Sequence, residues 1–318
     1  MFAIKKDNQN GFDSIVLVDK NSGTCAFISP SAGGILHKFE VSINGDMFNV
    51  IDSYTSYEEF SQSVESLGFK GCKLSPFVCR MNKGEYHFAQ NHYKITKFYL
   101  GHHAIHGLIY DRQFKIITEE ANEVSASVSI LYNYRKDDIG FPFNYDCIIT
   151  YKLEENNKLT ISTAIQNMDK GMIPIQDGWH PYFKLGSKID DLQLEFQSKE
   201  ILEFDKELLP TGKYLPYQDY GSIQTIGNKT FDNCFLLNFA DCQPMCVLRN
   251  KSKNIEVEIS PENSYPYLQI YTPPHRNSIA IENLSSPPDG FNNGIDLKTT
   301  SPGEQQVFKT SYKITLLP

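Results

Sequence analysis

The sequence predicts an all-β protein whose antiparallel strands pack as two sheets face to face, and three observations carry that prediction. Val124, Ala126, Val128, Ile130, Tyr132 and Tyr134 alternate with Ser125, Ser127, Ser129 and Asn133, the period-two pattern of a strand with one buried and one wet face. The alternation returns at Cys147, Ile149, Tyr151 and Leu153, turns through residues 154–158, and comes back as Leu159, Ile161, Thr163 and Ile165. Aromatic residues make up 13% of the chain, 18 Tyr and 21 Phe against one Trp, and such side chains favour pleated structure. No low-complexity linker and no repeat of roughly 20 to 50 residues breaks the chain, so a single domain spanning 1–318 is expected.

Taken in order, Ser14–Asp19 and Thr24–Ile28 flank the turn Lys20-Asn21-Ser22-Gly23 and predict a strand pair. Val41–Ile43 and Met47–Val50 predict another, because Asn44-Gly45 supplies the positive φ angles that a tight hairpin needs. Ser56–Val64 is the helix candidate, with a serine cap, an acidic first turn, and Tyr57, Phe60 and Val64 on one face. Residues 84–88 and 92–95 around Ala89-Gln90-Asn91 predict a third hairpin. Further strands are expected at 192–196, 235–237, 255–259, 268–271, 278–281 and 307–315, and the Gly, Pro and Tyr content of 210–222 predicts a loop.

Composition narrows the function. A net charge of −8 with no basic run argues against nucleic acid, whose phosphates are met by Lys and Arg. No stretch approaches the ~20 apolar residues that cross a bilayer, and the N-terminus lacks the apolar core of a signal peptide, so a cytoplasmic protein without membrane attachment is expected. Seven cysteines is an odd number, and neither Cys72 with Cys79 nor Cys242 with Cys246 has zinc-ribbon spacing, which points to reduced thiols.

The stretch Gln176-Asp177-Gly178-Trp179-His180-Pro181-Tyr182-Phe183 draws attention first. Proline crowds the helical region for the residue before it, so His180 is held in extended backbone among aromatic rings of the kind that line small-molecule clefts. Such a histidine is a site candidate, or a strand-end imidazole tied to a carbonyl. Downstream, the alternation of Ile279 and Ile281 against Ala280 and Glu282 places Glu282 opposite the core side, at the strand's end, where a carboxylate can act as a general base or be merely solvated. His102, His103 and His106 raise the possibility of a metal site, as in a cupin-like sugar isomerase, but Asp111 is the nearest acid downstream and the flanking glycines oppose a helix that would align His102 with His106. Hydrogen bonding to a substrate is the better reading of that run.

These residues resemble a family. Residues 80–86 (Arg80 first), 105–111 (Ile105-His106-Gly107-Leu108-Ile109-Tyr110-Asp111), 180–183 (His180-Pro181-Tyr182-Phe183), 231–235 (Phe231-Asp232-Asn233-Cys234-Phe235) and 268–273 leading to Ile281-Glu282-Asn283 resemble, in order, the motifs of the aldose 1-epimerases. The resemblance covers about residues 15–315, and Ser286-Pro287-Pro288-Asp289-Gly290-Phe291-Asn292 closes it. It implies a large antiparallel β-supersandwich, galactose mutarotase-like, with a sugar cleft across one concave sheet. It further implies Glu282 as the base on the anomeric hydroxyl and His180 as the acid on the ring oxygen, with Arg80, His106 and Asp232 holding the sugar. The implied reaction interconverts the α and β anomers of a hexose without metal or cofactor, in a monomer or homodimer.

Two positions depart from the family pattern. Cys79 stands where an asparagine often precedes the motif arginine, and Leu108 replaces the second of two glycines after the motif histidine. They leave open a hexose-6-phosphate 1-epimerase, for which Lys73, Lys83 and Arg276 are available cations, and a non-catalytic carbohydrate-binding or sensing protein.

Overall fold

Among the described residues, 1–240 and 243–318 of a computed structural model, the long alternating segments build a nine-stranded antiparallel sheet. Its order is Lys115–Ala121, Ser125–Arg135, Asn144–Glu154, Lys158–Asn167, Gln305–Leu316, Ile255–Pro261, Cys246–Asn250, Gln193–Phe196 and Gln224–Thr225. The apolar positions of the alternation are the buried ones: Ala126, Val128, Ile130, Cys147, Ile149, Tyr151 and Leu153 are all fully enclosed. Tyr132 is only half-buried, and Val124 is 63% exposed, because Asn122 Oδ1 accepts from the backbone N–H groups of Val124 and Ser125 and holds the chain in a turn there.

A second sheet runs Pro210–Pro216, Ser198–Phe204, Asp232–Leu237, Tyr267–Tyr271, Ile279–Leu284, Gly178–Trp179 and Lys73–Leu74, with Tyr182–Phe183 joining Ile279–Leu284 to Ile51–Asp52. Its inward side chains, among them Phe235, Leu268, Ile270, Ile279 and Ile281, share one hydrophobic cluster with those of the first sheet. Burial of that apolar surface, at about 25 cal/mol per Å², is the main force holding the sheets together. Phe2–Gln9, Phe12–Asp19, Cys25–Ser29, Ile35–Ile43 and Asp46–Asn49 form a further antiparallel sheet at the N-terminus.

Local signals explain the short elements. The helix Tyr57–Ser63 begins at Ser56, whose side chain accepts from the Glu59 N–H at 3.1 Å, while Glu59 Oε2 accepts from the Thr55 N–H. That reciprocal cap, with Phe60 and Val64 buried, fixes an element too short to be stable alone. Asn44 (φ 53°) and Gly45 (φ 92°) turn the predicted hairpin, and Ala89 and Gln90 turn the third one with positive φ at both positions.

Two expectations need correction. Pro210–Pro216 is not a loop but an edge strand paired with Ser198–Phe204. Its prolines stand at its two ends and most of it is exposed, so no buried ladder bond is lost. Nor does Glu282 end its strand: Ile279–Leu284 runs on past it and is buried throughout, because neighbours pair with it on both sides. Of the cysteines, Cys72, Cys79, Cys147, Cys234 and Cys246 are buried free thiols and Cys25 is half-buried, while Cys242 lies outside the described residues.

Candidate active site

Strand register assembles the site. Glu282 lies opposite Gln269, and Asp232 opposite Tyr271, across neighbouring strands. Tyr182 lies opposite Ala280 on the other side. Paired residues share a face and the pleat has period two, so Glu282, Gln269, Tyr271, Asp232 and Tyr182 all project to one side, away from the isoleucines. They line a cleft of about 220 Å³, together with Arg80, His106, His180 and an apolar rim that includes Phe69 and Leu208. That is less than the roughly 300–1,000 Å³ of pockets for drug-sized molecules, and suits a single small ring.

His180 enters between two short strands. Its backbone N–H donates to the Cys72 carbonyl at 3.0 Å and its carbonyl accepts from the Gly71 N–H at 2.9 Å, the extended path that Pro181 demands. The imidazole stacks on Tyr182 with ring centroids 5.2 Å apart and meets the edge of His106 at 4.8 Å. Its Nε2 lies 3.3 Å from Glu282 Oε1. Thus the two principal candidates, read from distant parts of the chain, stand side by side at the cleft floor.

The remaining three surround them. Arg80 comes from the strand Arg80–Met81, which pairs with His103–Ile105. His106 follows directly in a left-handed conformation (φ 62°), its N–H donating to the Cys79 carbonyl at 3.0 Å. A non-glycine residue there is strained, and such strain marks a position held by its surroundings. The hold comes partly from Gly107, also at positive φ, where an added Cβ would lie 2.4 Å from the Ser75 carbonyl oxygen. Gly107→Ala is expected to destabilise the fold by about 1–3 kcal/mol, which thermal unfolding would read. Asp232 receives a hydrogen bond from Gln269 Nε2 at 3.0 Å.

Several polar atoms in this cleft are buried and unpaired among the described residues: His180 Nδ1, His106 Nδ1, Glu282 Oε2 and Gln269 Oε1. Buried polar groups are normally satisfied, so a set of them on residues that line one cleft fits a ligand rich in hydroxyls. Gln269 has no role in the sequence reading, although it lies within residues 268–273. Its signal was a polar side chain two residues before Tyr271 on the same face, readable only once the register with Glu282 is known.

Electrostatics set the protonation. Burial lowers His180 to about 4, and burial with the neighbouring His180 and Arg80 holds His106 well below the usual imidazole value. Burial and the nearby Asp232 push Glu282 well above the usual carboxylate range, against the pull of Arg80. Burial likewise raises Asp232, opposed by Arg80 and by the Gln269 hydrogen bond. The His180–Glu282 pair therefore keeps one shared proton over a wide interval from about 4 upwards. Burial thus favours the proton on the carboxyl over the imidazole, the reverse of the ionised-base, protonated-acid arrangement that the acid–base roles require, with the same total count.

The histidine run disperses. His102 is exposed, His103 is buried with Nδ1 accepting from the Lys83 N–H at 3.1 Å, and only His106 lines the cleft. Among the described residues, no group of three or more His, Cys, Asp or Glu is placed to hold a metal ion. The three proposed phosphate cations are elsewhere too. Lys73 is fully buried against Asp177, Lys83 is exposed outside the cleft, and Arg276 is bound to Asp190 and to the Gly227 carbonyl.

The chain is 23% identical over 248 residues to the protein YihR of Escherichia coli strain K12, covering 75% of this chain and 77% of that one. It is 23% identical over 269 residues to an aldose 1-epimerase of Streptococcus thermophilus, covering 79% and 75%. Its fold matches a galactose mutarotase-like protein from Clostridium acetobutylicum with a TM-score of 0.86 at 19% identity, over 99% of each chain. It also matches galactose 1-epimerase from Lactobacillus acidophilus with a TM-score of 0.81 at 19% identity, over 100% of this chain and 99% of that one. The aldose 1-epimerase family model matches residues 14–313, and the chain belongs to that family.

Proposed function

We propose that the chain is an aldose 1-epimerase that interconverts the anomers of an unphosphorylated hexose, with Glu282 as base and His180 as acid. The observation that carries this reading is the contact between those two side chains at 3.3 Å on the floor of a cleft that also receives Arg80, His106 and Asp232. A hemiacetal edge laid over the pair meets an acceptor and a donor at once. Glu282 takes the proton of the anomeric hydroxyl while His180 gives one to the ring oxygen, the C1–O5 bond breaks, and an open-chain aldehyde forms. Rotation about C1–C2 presents the other face, and the two transfers run backwards. Only protons move, so no cofactor enters the chemistry.

Ring opening leaves the proton on Glu282 and none on His180, which is the distribution that burial already favours. The step therefore begins from the less favoured form of the pair, with the proton passed from Glu282 to His180 across their 3.3 Å contact, and ring opening returns it to the favoured one. Arg80, His106, Asp232 and Gln269 hold the sugar hydroxyls and fix which face meets the pair.

The test is polarimetry on fresh α-D-glucose and α-D-galactose, where the protein is expected to speed the approach to anomeric equilibrium. Glucose 6-phosphate should be a poorer substrate by about 10- to 100-fold in kcat/KM, because Arg80 is the only cation lining the cleft among the described residues and Glu65, Asp232 and Glu282 line it as well. Equal rates on both sugars would remove the preference for an unphosphorylated ring.

A further inference from the structure

We propose that the buried ion pair Lys73–Asp177 is a positioning device that sets the spacing of His180 and Glu282, an inference that rests on the acid–base reading above. Both side chains have no exposed surface, and Lys73 Nζ donates to Asp177 Oδ1 and, at 3.2 Å, to the Gly178 carbonyl. The ammonium also lies 4.4 Å from the centroid of the Trp179 ring. Asp177 Oδ1 accepts a second hydrogen bond from the Tyr265 hydroxyl at 2.6 Å. Its backbone N–H donates to Ser285 Oγ and its carbonyl accepts from the Ser285 N–H, each at 2.9 Å.

The placement gives these bonds their meaning. Trp179 pairs with Lys73, and Gly178 pairs with Leu74 on one side and Leu284 on the other. The network therefore ties together the strand that leads into His180, the strand that carries Glu282, and the strand beside Cys72, whose carbonyl holds the His180 N–H. Replacing a buried pair by apolar or neutral groups of the same shape is often neutral for stability, since desolvating two charges offsets their attraction. Asp177 Oδ2 is moreover buried without a partner among the described residues, an arrangement poorly suited to stability alone. What two fixed charges do supply is a directional lock on strand spacing, and an error of about 1 Å in the spacing of an acid and a base can lower a rate about 10²-fold.

The experiment compares wild type with the double variant Lys73→Met/Asp177→Asn, which removes both charges and keeps both shapes. The expected result is a folded protein melting within a few degrees of wild type, with kcat for anomer interconversion about 10- to 100-fold lower and KM within about twofold. A folded double variant with wild-type kcat overturns the proposal. Should the double variant not fold, Tyr265→Phe decides, because it removes one hydrogen bond to Asp177 and leaves the ring in place: a several-fold fall in kcat supports the proposal and an unchanged kcat overturns it. A wild type that does not speed mutarotation at all would defeat the functional reading instead. In that case the titration midpoint of the His180 ring, followed by nitrogen NMR in wild type and variant, settles the positioning claim: a moved midpoint supports it and an unmoved one overturns it.

Discussion

Glu282→Gln is expected to lower kcat for anomer interconversion by about 10²- to 10⁴-fold while leaving KM nearly unchanged, the range that a positioned general base contributes. The amide keeps the shape and the place beside His180 but cannot take the anomeric proton. Stability should move the other way with pH. Glu282 in the folded protein is raised above its ordinary value, so its contribution is fully present below the unfolded value and is lost as pH rises through the folded one. Wild type therefore loses stability across that interval and the glutamine variant does not, which thermal unfolding at a series of pH values would show. A variant with wild-type kcat would mean that another group takes the proton.

His180→Asn is expected to have an effect of similar size, about 10²- to 10⁴-fold on kcat, since the ring oxygen then leaves without a proton donor. The wild-type pH profile should be bell-shaped. Its acid limb falls at about 4, where the pair gains a second proton, and its alkaline limb falls at the raised Glu282 value, where the pair loses its only one. The asparagine variant should lose the limb at about 4. His180 is depressed in the folded protein, so its contribution to stability is present above the unfolded value and lost as pH falls through about 4. The variant should accordingly resist acid better than wild type. A profile without a limb near 4 in wild type would separate His180 from the reaction.

The parts of the fold that could be read from sequence were those governed by local periodicity. The run from 126 to 165 shows its period because one face of each strand is enclosed and the other is wet. Pro210–Pro216 was hidden because an exposed edge strand has no buried face to impose alternation. The strand Ile279–Leu284 was cut short for the opposite reason: it is buried on both faces, so its polar residues Glu282 and Asn283 looked like a beginning loop. At the site, His180-Pro181 carries its own backbone signal, and Arg80, His106 and Asp232 were found by resemblance. Gln269, Lys73 and Asp177 had no such signal. Their meaning lies in which strands pair, a non-local fact that spacing along one chain does not contain.

The most direct measurement is a crystal structure of the Glu282→Gln variant soaked with D-galactose or D-glucose. The account predicts one pyranose in the cleft, its anomeric oxygen about 2.6–3.2 Å from the residue 282 side chain and its ring oxygen at the same range from His180 Nε2. A sugar bound with that edge turned away from both side chains, or bound outside the cleft, would contradict it.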